Sequence, residues 1–103
     1  MDGSDGTIKI DANALAQLLA PEAKLRLVAA VLEEGADNET FNPAAVHDRD
    51  GVSRDAWYRY HEDLVDYGVI EQDGKIGNSP VYRLADTDLV QRLYDVAELV
   101  SEN

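Results

Sequence analysis

A chain of 103 residues, 45% hydrophobic and without internal repeats, is one domain with room for a real core. Its lack of cysteine excludes disulfides, thiolate metal sites, iron–sulfur clusters and a cysteine nucleophile. Asp and Glu number 21 against 9 Lys and Arg, only three of them lysine, for a net charge of −12. In dilute salt that balance argues against nucleic acid; in molar salt, where the Debye length is about 3 Å, an acidic, lysine-poor surface keeps a protein hydrated with little self-repulsion.

The opening MDGSDGT is polar and Gly-rich, so residues 1–10 read as a flexible arm. Asp11 is a helix cap, after which Leu15, Leu18 and Leu19 share one face until Pro21 interrupts. Pro21 suits the first turn of a second helix, with Leu25, Val28, Ala29 and Leu32 inward and Gly35 as its stop. Thr40 and Phe41 make a short strand. Asn42 and Pro43 then open a brief third helix as cap and first residue, with Ala45 and Val46 inward, ending around Asp50 and Gly51. Ser53 caps a fourth helix that runs to about Asp66 and stops at Tyr67 and Gly68. The segments VIEQDGKI and VYRLA read as a hairpin with its tip at Gly77 to Pro80 and a bulge at Gly74. Asp86 or Thr87 caps a last helix striped with Leu89, Val90, Leu93, Val96, Ala97 and Val100.

Two helices across a tight Gly-containing turn, followed by a hairpin, predict a mainly α fold with a small β-hairpin wing (α+β): a winged helix-turn-helix with extra N-terminal and C-terminal helices. The expected divisions are the arm at 1–10, the winged domain at 11–85 and a C-terminal dimerisation helix at 86–103. No apolar run approaches a membrane span, and the N-terminus lacks the basic start and apolar stretch of a signal peptide; a cytoplasmic protein without a membrane partner is expected.

On the fourth helix, Trp57, Tyr60, His61 and Leu64 lie on one face for packing, while Arg54, Asp55, Tyr58, Arg59 and Glu62 face outward. The first residues of a recognition helix reach base edges, so Arg54 and Tyr58 are the expected base contacts and Arg59 is placed to read a guanine or hold a phosphate. Ser53 joins its capping role to a hydroxyl that can donate to phosphate, and Arg49 is a candidate for the DNA backbone. In the wing, Lys75 supplies charge, and Asn78 and Ser79 supply donors at a narrow tip; Arg83 divides between DNA and the sheet surface. His47 and His61 lack neighbours at metal-ligand spacing, and no nucleophile motif or phosphate-cradling loop is present, so neither a metal site nor an enzyme is expected.

The run SRDAWYRYHEDLVDYGVIEQ followed by GNSPVYRL resembles the small winged helix-turn-helix transcriptional regulators of haloarchaea, which are similar to PadR, MarR and ArsR-like repressors; its most specific parts are LVDYGVIE and GNSPVYRL, and it covers residues from about 21 to 85. A narrower resemblance is to stress-responsive regulators of the RosR kind. The resemblance implies a homodimer on a pseudo-palindromic promoter site, with the helix from Ser53 in the major groove of double-stranded DNA and the wing on the flanking backbone. Apart from the resemblance, the last helix carries more apolar surface than a compact winged helix needs, which predicts a dimer through Leu89, Leu93, Val96 and Val100 with Leu15, Leu18 and Leu19 alongside.

Residues 49 to 83 hold five Lys and Arg against seven Asp and Glu, so the expected DNA face is not net positive. Binding there calls for cations such as K⁺ bridging Asp50, Asp55 or Glu62 to phosphate; no other cofactor and no small-molecule effector is indicated. Two rival readings use the same surface: a winged-helix protein-interaction module, and an acidic DNA mimic or anti-repressor.

Overall fold

A computed structural model of the protein describes residues 9–47, 49 and 51–102. The arm expected at 1–10 therefore lies outside the described residues apart from Lys9 and Ile10, as do Asp48 and Asp50. The elements are α1 (Ala12–Leu19), α2 (Glu22–Asp37), α3 (Pro43–His47), α4 (Arg54–Asp66), β1 (Ile70–Ile76), β2 (Ser79–Leu84) and α5 (Asp88–Ser101). Their order and the two-stranded antiparallel hairpin make the α+β winged helix-turn-helix that the motif order predicts.

Four helices start where a short polar side chain takes up a first-turn amide that has no partner inside the helix. Asp11 Oδ1 accepts from Ala14 N–H at 3.1 Å, Asn42 Oδ1 from Ala45 at 2.9 Å, Ser53 Oγ from Ala56 at 3.1 Å and Thr87 Oγ1 from Val90 at 3.3 Å. Thr87, not Asp86, caps α5. The Thr87 hydroxyl also donates to the Gly68 carbonyl at 2.8 Å, fastening the start of α5 to the end of α4.

α2 departs from the sequence expectation in three ways. Pro21 is its cap rather than a first-turn residue. Its buried face is Lys24, Leu27, Val28, Ala30, Val31, Leu32 and Glu34, while Leu25 is 47% exposed. The helix also runs through Gly35 to Asp37, because this glycine does not turn the chain: it admits the Leu84 side chain, which any Cβ would strike. In α3, Val46 is buried as expected but Ala45 is exposed, since one short turn has only one inward position.

The core gathers Leu27, Val31, Val46, Trp57, Leu64, Val69 and Ile70, all essentially inaccessible. Phe41 exchanges both backbone hydrogen bonds with Tyr82 at 2.8 Å, adding a one-residue third strand to the hairpin. Across the hairpin, Ile70 pairs with Leu84, Glu71 with Arg83, Gln72 with Tyr82 and Ile76 with Ser79. The register shifts between Gln72 and Lys75, where Gly74 sits at φ 81°, and Gly77 at φ 64° forms the tip with Asn78. Val81 and Tyr82 are buried, Tyr82 within the core, whereas β1 beyond Glu71 is exposed, so the distal hairpin is a projecting wing.

Candidate nucleic-acid interface

Gly51, at φ 74°, makes the turn between α3 and α4, and Ser53 starts α4 two residues later. The inner face of α4 is Ala56, Trp57 and Leu64. Trp57 meets Tyr82 edge-on with centroids 5.0 Å apart, and the His61 ring stacks on Trp57 at 4.9 Å while its Nδ1 lies 2.8 Å from the Trp57 carbonyl. This aromatic block fixes the rotation of α4 and turns Arg54, Asp55, Tyr58, Arg59 and Glu62 to solvent, with Tyr58 65% exposed. Lys75, Asn78 and Ser79 are exposed in the wing. Tyr82 is held neutral to higher pH than usual, first by burial and then by the negative charge of Glu62.

Charge is distributed unevenly among the basic residues. Arg59 pairs with Asp55 one turn earlier at 2.8 Å, and Arg83 pairs with Glu71 across the hairpin. Arg49, expected at the DNA backbone, is engaged by α2: its guanidinium lies 2.6 Å from Glu34, 3.2 Å from Glu33 and 3.8 Å from Asp37. The hydrogen bonds to Glu34 and then Glu33 push its pKa above the usual guanidinium value. Glu34 is otherwise a buried carboxylate, and Arg49 is the cation that neutralises it. Arg54 and Lys75 form no ion pair among the described residues. Ser53 spends its oxygen on the Ala56 amide and keeps its hydroxyl hydrogen to donate.

A buried lysine, missed in the sequence, ties α4 to the other end of the domain. Lys24 Nζ donates to Asp63 at 2.6 Å and to the Gln17 carbonyl, and lies 5.3 Å from the Tyr60 ring centre. The Tyr67 hydroxyl donates to Gln17 Oε1 at 2.7 Å. Helices α1, α2 and α4 thus meet at one polar joint, for which a lone lysine in a helical pattern gives no signal.

The residues expected at a dimer interface separate into two groups. Leu18 is in the core, and Leu19, Leu89 and Leu93 pack partly against it, with Val90 buried beside them. Leu15, Val96 and Val100 are 51%, 57% and 66% exposed, and Ile10 and Leu99 join them as large exposed apolar side chains. The first half of α5 closes the core, where the Tyr94 hydroxyl donates to the Leu32 carbonyl, and the second half presents an exposed apolar stripe. Leu99 is readable from the spacing, since Val96, Leu99 and Val100 stand at three and four residues. Among the described residues no group of three or more His, Cys, Asp or Glu could hold a metal ion, and no helix is long and apolar enough to cross a membrane.

No family model and no curated protein matches this chain. Among solved structures it is similar to the AntR antimony-specific transcriptional repressor, at 22% identity and a TM-score of 0.63 over 88% of this chain and 77% of that one. It is similar to the transcriptional repressor BigR from Xylella fastidiosa at 19% identity and a TM-score of 0.59, over 85% of this chain and 84% of that one. A third likeness is to TubR from Bacillus thuringiensis serovar israelensis, bound to 24 bp of tubC: 16% identity, TM-score 0.60, 90% of this chain and 98% of that one. At these identities the likeness is one of fold, and the fold is the winged helix-turn-helix.

Proposed function

We propose that the protein is a sequence-specific DNA-binding transcriptional regulator, acting as a homodimer on promoter DNA in a high-salt cytoplasm. One observation carries this reading: the aromatic block under α4 turns Arg54, Tyr58 and Arg59 outward beside an exposed wing tip, on a fold similar to that of a protein held on DNA. Arg54 and Tyr58 enter the major groove and read base edges, Arg59 contacts a guanine or a phosphate after exchanging Asp55 for it, and Ser53, Lys75, Asn78 and Ser79 hold the backbone. Arg49 is assigned instead to holding the α3–α4 turn against α2. Two copies associate through Leu15, Val96, Leu99 and Val100, which sets the spacing of two half-sites.

Arginine suits this task because its planar fork recognises guanine bidentately whatever the surrounding field. Asp55 and Glu62 approach the DNA through bridging cations such as K⁺, so binding tolerates molar salt. The test is fluorescence anisotropy of a random-sequence duplex across potassium chloride concentrations. Retention at molar salt with a shallow slope supports the proposal, a steep negative slope removes the bridging cations from it, and no retention at any salt removes DNA. The pairing of Arg59 with Asp55 and of Arg83 with Glu71 favours a second reading, in which α4 docks on a protein partner; that reading predicts binding unaffected by Arg54→Ala.

A further inference from the structure

Resting on the DNA-binding reading, a cleft of about 350 Å³ between α3, α4 and the start of β2 supports a narrower assignment. In a chain with 21 acidic residues, no carboxylate is among the described residues that line it. Four other clefts each include at least one: Glu22, Glu22 with Glu33, Glu62 with Asp66, and Asp11. The lining includes Asn42, His47, Arg54, Tyr58, His61 and Ser79. Arg54 forms no ion pair among the described residues, and Asn42, whose oxygen caps α3, keeps its amide hydrogens to donate.

His47 supplies the independent observation. Its Nε2 is buried and has no hydrogen-bond partner among the described residues, although buried polar atoms are normally satisfied and an unmet donor or acceptor costs about 1–3 kcal/mol. His61, by contrast, is already engaged with Trp57. The His47 and Tyr58 rings stand 6.4 Å apart at 51°, and both line the cleft with Asn42, Arg54 and Ser79. We propose that this cleft is an oxyanion site that seats one phosphate of the DNA backbone, with the His47 imidazole as its inner donor, the Asn42 amide and the Ser79 hydroxyl at its rim, and the positive charge of Arg54 drawing the anion in while its guanidinium reads the bases.

The test follows the histidine side-chain NMR signals of the full chain during addition of random-sequence duplex DNA and, separately, of inorganic phosphate, beside DNA affinities of His47→Gln and Ser79→Ala. The expected result is a saturable His47 shift with duplex, and a five- to tenfold loss of affinity in His47→Gln that is uniform across sequences, as befits a backbone contact. Melting curves establish that the variant is folded; should it not be, the His47 shift in the wild type and the affinity of Ser79→Ala decide. Duplex bound with no His47 shift and no loss in the variants overturns the site and leaves the regulator standing. A shift with inorganic phosphate but not with duplex overturns the DNA assignment in favour of a free oxyanion, and failure to retain duplex at any salt overturns both readings.

Discussion

Gly35→Ala should destabilise the protein, against the usual sense of that substitution. In an exposed helix interior, replacing Gly by Ala gains about 1 kcal/mol. Here the new Cβ enters space held by the Leu84 side chain, and overpacking costs about 1–3 kcal/mol. Leu84 is only partly buried and yields some of the clash by moving, so a net loss of about 1 kcal/mol is expected, equivalent to roughly 4–8 °C in Tm for a domain of this size. Urea titration followed through the fluorescence of Trp57, the single tryptophan, reads the change at constant molar salt. In a Leu84→Ala background the clash is gone, and Gly35→Ala should stabilise by up to about 1 kcal/mol, giving a coupling near 2 kcal/mol. A Gly35→Ala variant more stable than the wild type would refute the close approach of α2 to the hairpin.

Three further outcomes are expected. Asp63→Ala strands the buried Lys24 ammonium and should cost about 2 kcal/mol, reduced from the range for fully buried pairs because Asp63 is half exposed, whereas Lys24→Met removes the charge and should cost less; equal losses would contradict the joint between α1, α2 and α4. Tyr82 and Tyr94 should ionise above the ordinary tyrosine range in an alkaline absorbance titration, because burial raises both phenols, helped by Glu62 and Asp37 respectively. The folded chain then holds these protons longer than the unfolded one, so their contribution to stability is whole below the ordinary tyrosine value of about 10 and is lost as pH rises through the folded-state values; stability unchanged across that window would contradict the shifts. Finally, Val96→Asp with Leu99→Asp should convert a dimer into a folded monomer by light scattering, and a wild type already monomeric at micromolar concentration would reject the α5 interface.

Element order was legible in the sequence because each boundary carries its own chemistry: Asp11, Asn42, Ser53 and Thr87 each cap a helix through a side-chain oxygen, and Gly68, Gly74 and Gly77 occupy left-handed positions that other residues resist. The face of α2 was legible only in part: Val28 and Leu32 are buried as expected, and Leu25 is not. Its apolar residues nearly encircle the helix, so periodicity alone allows a face centred on Leu25 as readily as one on Leu27 and Val31, and a buried Lys24 and Glu34 are recognisable only once Asp63 and Arg49 are seen to reach them. Gly35 misled for a related reason: a glycine that ends a helix and one that admits a neighbour from another element look alike in one dimension. The outward face of α4 followed from spacing, but which arginines are spent on neighbouring carboxylates did not, since Arg49 meets residues some fifteen positions away.

The most direct test of the central claim is selection from a pool of random duplexes, with sequencing of what is retained, by the wild type and by Arg54→Ala at low and at molar potassium chloride. The account predicts a pseudo-palindromic motif enriched by the wild type at molar salt and lost in the variant, because Arg54 heads the outward face of α4 without an ion pair among the described residues. No enrichment at either salt, or the same motif from wild type and variant, would contradict it.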